Sequence, residues 1–520
     1  MRSTMMARLL LLAVAMATGA SGCARHDQPI DPADIPDEPL PGGTLTVAIQ
    51  ADGLSLDPHA VTDAPSMRLI ENMYGTLLRY GDDYGEVESY LAESYQASAD
   101  RRTYTFALRP DVRFHATGRP LTSADVEYSI RRIIDHRVRA DQFEPVDSIS
   151  TPDAHTVTFH LSRPAPAFPT YLAYPMNVIV DRDVVEANDG SLSRSDAGTG
   201  PFRLVEWRRD RHLILERYEA YHLEGLPYLD RLVFRPIPDE TARTTALRTG
   251  EVHITLDVPG KDRVILEDAP HVELASVPGT FWEYVGINAR REPFDDHRVR
   301  QAMAWAVDRS MVSRFVTFSR ARVLTGGFLP TSHWAYTELE VYPARDTDRA
   351  RELLRAAGLA DGFRAVIRVG SAFPYQVAAA QVVKQNLEDV GIVTEILAEE
   401  SAVFFDALGR SDFDLTVVGW LGFVDPDEWF YNIFHSAGRW NQQGYSNPRV
   451  DRLLEEGRVE TDPGARKGIY HRVQEKVVRD APVVLLYLND QTSAYLDTVQ
   501  GFRVHATATT LSLRETWLVR

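Results

Sequence analysis

The chain is 520 residues long, with one cysteine, a formal net charge of −18, and 44% apolar against 25% charged residues. That balance is an ordinary globular one, and the length suits two or three domains built on large hydrophobic cores. The single cysteine excludes an intrachain disulfide, and the acidic surplus argues against nucleic acid, whose phosphates the global field would repel.

The first segment sets the compartment. Arg2 and Arg8 supply positive charge, Leu9 to Ala17 form a short apolar run, and Ala20-Ser21-Gly22 lead into Cys23. A basic start, an apolar stretch too short to span comfortably and small residues before a cut site read as a secretory signal over residues 1–22. A lone cysteine in that position resembles the lipobox of bacterial lipoproteins, with Ala20 where that family usually has Leu. The resemblance makes Cys23 the lipidation site. It implies an exported protein anchored by lipid, either in the periplasm or on the outer face of the cell membrane. Residues 23–42 are expected to form a disordered tether. Pro29, Pro32, Pro36, Pro39 and Pro41 alternate there with five acidic residues, a composition that cannot bury enough apolar surface to fold. Extended, 18 such residues reach roughly 55 Å.

Globular patterning begins at Gly43, with Thr44 to Ile49 alternating as a strand does. Tyr104, Phe106 and Leu108 predict another strand. Thr122-Ser123-Ala124-Asp125 is a capping-box-like start for a helix carrying Val126, Ile130, Ile133 and Ile134 at helical spacing. Asp295 is placed to cap a helix whose inward face is Val299, Ala302, Met303 and Ala306, and Gly358 to end the helix Arg349 to Ala357. Val366 to Val369, Tyr375 to Val390 and Ile392 to Leu397 read as strand, helix and strand, a crossover that makes the two strands parallel and the connection right-handed. The apolar run Leu415 to Val418 then delivers the chain to Gly419-Trp420. Ligands of open α/β sheets gather beyond the carboxyl ends of strands, so the segment after Val418 is a place to expect a pocket.

Several spaced motifs carry a family resemblance. Leu91-Ala92-Glu93-Ser94-Tyr95 and Tyr104 to Arg109 are followed by Val112-Arg113-Phe114-His115 and Leu121 to Val126. Further on come Gly198-Thr199-Gly200-Pro201-Phe202, Gly286-Ile287-Asn288, Pro293 to Asp296, Arg298 to Ala302 and Tyr445-Ser446-Asn447-Pro448. In this order the chain resembles bacterial extracellular solute-binding protein family 5, the substrate-binding lipoproteins of peptide- and nickel-type ABC importers. The resemblance implies a two-lobe α/β periplasmic-binding-protein fold of class II type, with a hinge. Lobe I is expected over 43–278 plus 490–520, with an inserted subdomain at 73–197, and lobe II over 279–489. The crossings between lobes should fall near Pro278 and Val484.

On the same resemblance the ligand is a peptide or a sugar-like solute held between the lobes. The expected partners are an ABC permease, its ATPase and, through the anchor, the membrane, with the chain itself a monomer. Candidate ligand-binding residues are Gln50, Asp52 and Leu54 after the first strand, the glycine-exposed amides of Gly198, Thr199 and Gly200, and Trp420, Phe423 and Asp425 in the aromatic-rich loop. Peptide-binding relatives commonly carry an acid three positions after the tryptophan, and this chain has Phe423 there, which weakens a free-peptide reading.

No catalytic residue, metal ligand or cofactor is expected. The chain has no His-Glu-x-x-His and no Gly-x-Ser-x-Gly around a serine nucleophile. Its only Gly-Lys pair, Gly260-Lys261, is followed by Asp262, which excludes a P-loop, so ATP hydrolysis belongs to a partner. A ligand-sensing receptor of the same fold without transport is the alternative, and a hydrolase built from dispersed carboxylates the remote one.

Overall fold

The computed structural model describes residues 33, 35–81, 84–421 and 424–520. The signal segment, Cys23, most of the tether and Phe423 lie outside these residues.

Two long strands organise the molecule. Val272–Ile287 and Val483–Leu496 pair antiparallel along nearly their whole length, with an irregularity between Pro278 and Trp282. They stand at the centre of one continuous sheet. On one side follow Leu415–Leu421, Phe363–Gly370 and Ile392–Glu399; on the other Ile254–Thr255, Thr44–Ile49, Arg231–Pro236, His212–Arg217 and Phe202–Arg208. The strands Ala92–Ala97, Thr103–Leu108, Thr156–Leu161 and Val146–Asp153 form a separate four-stranded sheet.

The apolar residues separate into two main cores along this sheet. One gathers Leu45 to Leu256 with Val499, Phe502, Leu513 and Leu518 from the returning tail. The other runs from Trp282 to Leu488. Val484 to Leu488 all belong to the second core. Since burial of apolar surface is the main favourable term in folding, this segregation makes two lobes joined by the crossing strands.

Local structure follows the sequence signals closely. Phe363–Gly370 and Ile392–Glu399 pair in parallel around the helix Pro374–Glu388. Tyr104, Phe106 and Leu108 all point into the first core. Helix Ser123–His136 starts with Asp125 accepting the Thr122 amide at 2.9 Å, and Arg119 clasps the same carboxylate. Helix His297–Ala306 is capped by Asp296 rather than Asp295: the Asp296 carboxylate accepts the Arg298 amide at 2.8 Å. Gly358 takes φ +80 just after helix Thr347–Ala356, the left-handed turn that glycine adopts at no steric cost.

Candidate ligand site in the interlobe cleft

Between the lobes, beside the crossing strands, lies a cleft of about 560 Å³. Lobe I contributes Gln50, Met67, Arg68, Asp257, Val258 and Lys261; lobe II contributes Phe281, Phe315, Phe318, Tyr375 and Leu421; the second crossing strand adds Tyr487 and Gln491. The wall combines a large apolar and aromatic surface with charged side chains of both signs, Arg243, Arg263, Arg320, Glu240 and Asp490 among them.

Those polar groups are held by the fold. Arg68, on helix Ala64–Ile70, grips Asp257 with both guanidinium arms, and Gln491 donates to Asp257 at 2.7 Å. Burial would raise the Asp257 carboxyl, but the Arg68 charge and these bonds hold it below the ordinary carboxylate range. The pair is therefore ionised, with only the Arg68 Nε–H left without an acceptor.

Glu283 is different. It is fully buried on the first crossing strand, directly opposite Gly419 on one neighbouring strand and Tyr487 on the other. Neither carboxylate oxygen has a hydrogen-bond partner. Burial pushes its carboxyl up to about 8, and the nearby Gln376 amide offsets this only in part. A second raised acid, Glu428, sits where helix Asp427–Phe434 of lobe II meets the tyrosines of the inserted segment. Burial raises it first, and the charges of Asp425 and Asp427 add to the effect.

Contacts between lobes flank the cleft. Arg320 pairs with Glu267 at 2.8 Å, the Tyr171 hydroxyl donates to Asp427 at 2.8 Å, and Val424 reaches into the first core.

The residues singled out from sequence scatter over different roles. Gln50 is exposed and lines the cleft. Trp420 is half-buried, packs on Trp440 with ring centres 4.9 Å apart, and has a buried indole N–H without an acceptor; the next residue, Leu421, lines the cleft. The others are occupied elsewhere. Asp52 accepts from the Trp207 indole at 3.1 Å and from the Gly53 and Asp210 amides. Leu54 is 64% exposed, and its backbone bonds to Ser66 and Arg209.

The Gly198-Thr199-Gly200 turn is buried against the backbone of Met73. Gly198 donates to Asp196 and Gly200 to Met73, each at 2.9 Å, so these amides are not free for a ligand. Asp425 is buried in a two-armed pair with Arg466 at 2.6 and 2.7 Å, because a carboxylate that deep needs a counter-charge.

Sequence reasoning missed Arg68, Asp257, Glu283, Tyr375 and Tyr487. Four of these come from segments with no motif. Glu283 had a signal: it is the one acid in the apolar run Phe281-Trp282-Glu283-Tyr284-Val285.

Comparison with known proteins agrees with this architecture. Residues 86–442 match the model of the bacterial extracellular solute-binding proteins, family 5 (middle region). The glutathione-binding protein GsiB of Pectobacterium atrosepticum is 29% identical over 471 residues, covering 88% of this chain and 91% of that protein. Among solved structures, the periplasmic binding protein DppA of Helicobacter pylori, in complex with the peptide STSA, superposes with a TM-score of 0.83 at 27% identity, covering 92% of this chain and 99% of that one. AgaA of A. tumefaciens R10, in complex with agropinic acid, gives 0.83 at 29% identity with the same coverage. The family match spans well over half of the chain, and relatives and fold agree: this protein belongs to the bacterial extracellular solute-binding proteins, family 5, and is a two-lobe substrate-binding protein of the ABC-importer class.

Proposed function

We propose that the chain captures a short peptide, or a solute of similar size, in the interlobe cleft and delivers it to a membrane permease powered by a separate ATPase. One observation carries this reading: a largely apolar cleft of about 560 Å³ whose two walls belong to lobes joined by two crossing strands. A volume in the range of roughly 300–1,000 Å³ suits a drug-sized ligand and excludes a long peptide lying wholly within it. Solute that touches both walls favours the closed arrangement by its differential affinity, and the permease reads that arrangement. Of the sequence-derived candidates, Gln50, which lines the cleft, and Trp420, whose indole N–H has no acceptor and whose neighbour Leu421 lines it, are the contacts proposed for the solute.

Relatives named for glutathione, a short peptide and agropinic acid support a small polar solute. The basic, apolar and small-residue run that leads into Cys23 supports export and a lipid anchor at that cysteine as part of this reading. A proline- and acid-rich segment after Cys23 would then serve as the spacer between anchor and lobes.

The test is mass spectrometry of small molecules released by denaturing the purified protein, followed by calorimetric titration of the recovered compound. A recovered compound rebinding with micromolar or tighter affinity supports the reading. Release of nothing, with no stabilisation by peptides or sugars in thermal-shift assays, overturns it.

A further inference from the structure

Glu283 lies behind the cleft wall, fully buried and not itself a lining residue, and solute binding in general does not account for it. Its strand alternates: Trp282 and Tyr284 face the lobe II core, while Phe281 and Glu283 face the other way, toward the start of helix Pro374–Glu388. Phe281, Tyr375, Leu421 and Tyr487 surround this position and all line the cleft. The approach is tight from the strand side, since a Cβ added at Gly419 would lie 2.3 Å from a Glu283 oxygen and 2.2 Å from the Phe281 ring. The carboxyl therefore rests on bare backbone, with its free side toward the aromatic wall.

What faces it is neutral. Tyr375 and Gln376 come from the helix, and Tyr487 from the second crossing strand. Among the described residues no basic side chain bonds to it, and both oxygens are unpartnered. Several buried acids of this chain carry their own cation: Asp57 has Arg132, Asp257 has Arg68 and Asp425 has Arg466, whereas Glu428, like Glu283, has two unpartnered oxygens but sits away from this cleft. A buried acid without one is expensive, and such groups cluster at sites that receive a ligand.

We infer that Glu283 is a specificity-determining residue of the cleft, accepting a cationic nitrogen of the solute, an ammonium or an amidinium. The inference rests on the solute-binding reading and narrows it. In the empty protein the carboxyl keeps its proton, as its burial requires. When the solute's cation arrives, the carboxyl gives that proton to solvent and the ion pair takes its place. Tyr375 and Tyr487 then shield the pair from water, and the second crossing strand and the lobe II helix bear on the same charge. An uncharged solute of equal shape would leave the acid protonated and gain nothing from it.

The experiment compares the full-length protein with Glu283→Gln, which keeps size and hydrogen bonding but cannot become charged. A thermal-shift panel is used of di- to pentapeptides, their N-acetyl counterparts, glutathione, polyamines and hexoses, with hits titrated by calorimetry at pH 7 in phosphate and in Tris. Hits on the parent protein should carry a cationic nitrogen, lose at least about tenfold in affinity in the variant, and release up to about one proton on binding to the parent but none on binding to the variant. Unchanged melting of the unliganded variant shows that the loss is not unfolding; should the variant melt early, the proton count on the parent decides alone.

Hits that lack any cation, or cationic hits held equally by both proteins without proton release, overturn the inference and leave solute binding standing. No hit on the parent protein counts against solute binding itself, and the inference falls with it.

Discussion

The Asp425 carboxylate and the Arg466 guanidinium face each other in a two-armed pair at 2.6 and 2.7 Å, both side chains buried at the foot of the loop that follows Trp420. The pair is a joint of lobe II, since Arg466 belongs to helix Pro463–Asp480 and also donates to the Gly457 carbonyl at 2.9 Å. Removing one partner strands the other charge in a place water cannot reach. Asp425→Asn should cost about 3 kcal/mol of stability, with solute affinity within about twofold of the parent. Urea unfolding and calorimetry read the two effects separately, and a large loss of affinity at unchanged stability would return Asp425 to the binding site.

Glu283 makes stability depend on pH in a direction that can be stated in advance. Its carboxyl holds a proton up to about 8 in the folded chain and only to the ordinary carboxylate range near 4.5 when unfolded. Between those values the folded state binds more protons, so this group's contribution is fully present below about pH 4.5 and is lost as pH rises through 8. Glu71 and Glu428 act in the same direction, while Asp57, Asp196 and Asp257, held low, act oppositely in acid. Comparison with Glu283→Gln isolates the one group. The variant's stability relative to the parent should climb between pH 5 and pH 8, by on the order of 4 kcal/mol at most. Parallel curves across that range would show that Glu283 is already ionised.

The Gly198 turn offers a steric test. A methyl group there would sit 1.9 Å from the Met73 carbonyl oxygen, a backbone atom that cannot swing aside. Gly198→Ala should destabilise the first lobe by about 3 kcal/mol or prevent its folding, whereas Gly225→Ala, with open space around it but φ +78, should cost only about 1 kcal/mol. Thermal melting of the two variants decides whether the motif serves packing.

Trp420 tests the contact assigned to the aromatic loop. Trp420→Ala removes a half-buried ring whose indole N–H has no acceptor in the protein. Affinity for the recovered solute should fall by about tenfold while the melting temperature moves by only a few degrees. Unchanged affinity with a lowered melting temperature would assign the ring to packing against Trp440.

Fold and site were unequally legible. Periodicity found the parallel crossover from Val366 to Leu397 and the strand at Tyr104, because burial on one face imposes a repeat that survives in a single sequence. The family motifs were legible as well, yet most of them serve folding. Asp296 caps a helix, Asn447 caps another by accepting the Arg449 amide, and Gly198 packs under Met73.

The cleft was less so, since its walls come from segments far apart in the chain. Arg68 and Asp257 are separated by 189 positions and meet only through the sheet. The sequence also could not show that Asp52 and Asp425 are consumed by neighbours, since the Trp207 indole and the Arg466 guanidinium reach them from remote elements.

The paired crossing strands also constrain what the rest of the cell meets. Two ribbons bonded rung by rung over most of their length are not expected to bend independently, so the lobes should approach along one path, bending where the pairing breaks between Pro278 and Trp282. A different cargo can alter how often that path is completed, but not where it leads. Under the function proposed above, a membrane partner would meet a single closed outline whatever lies inside, leaving selectivity to the walls of the cleft.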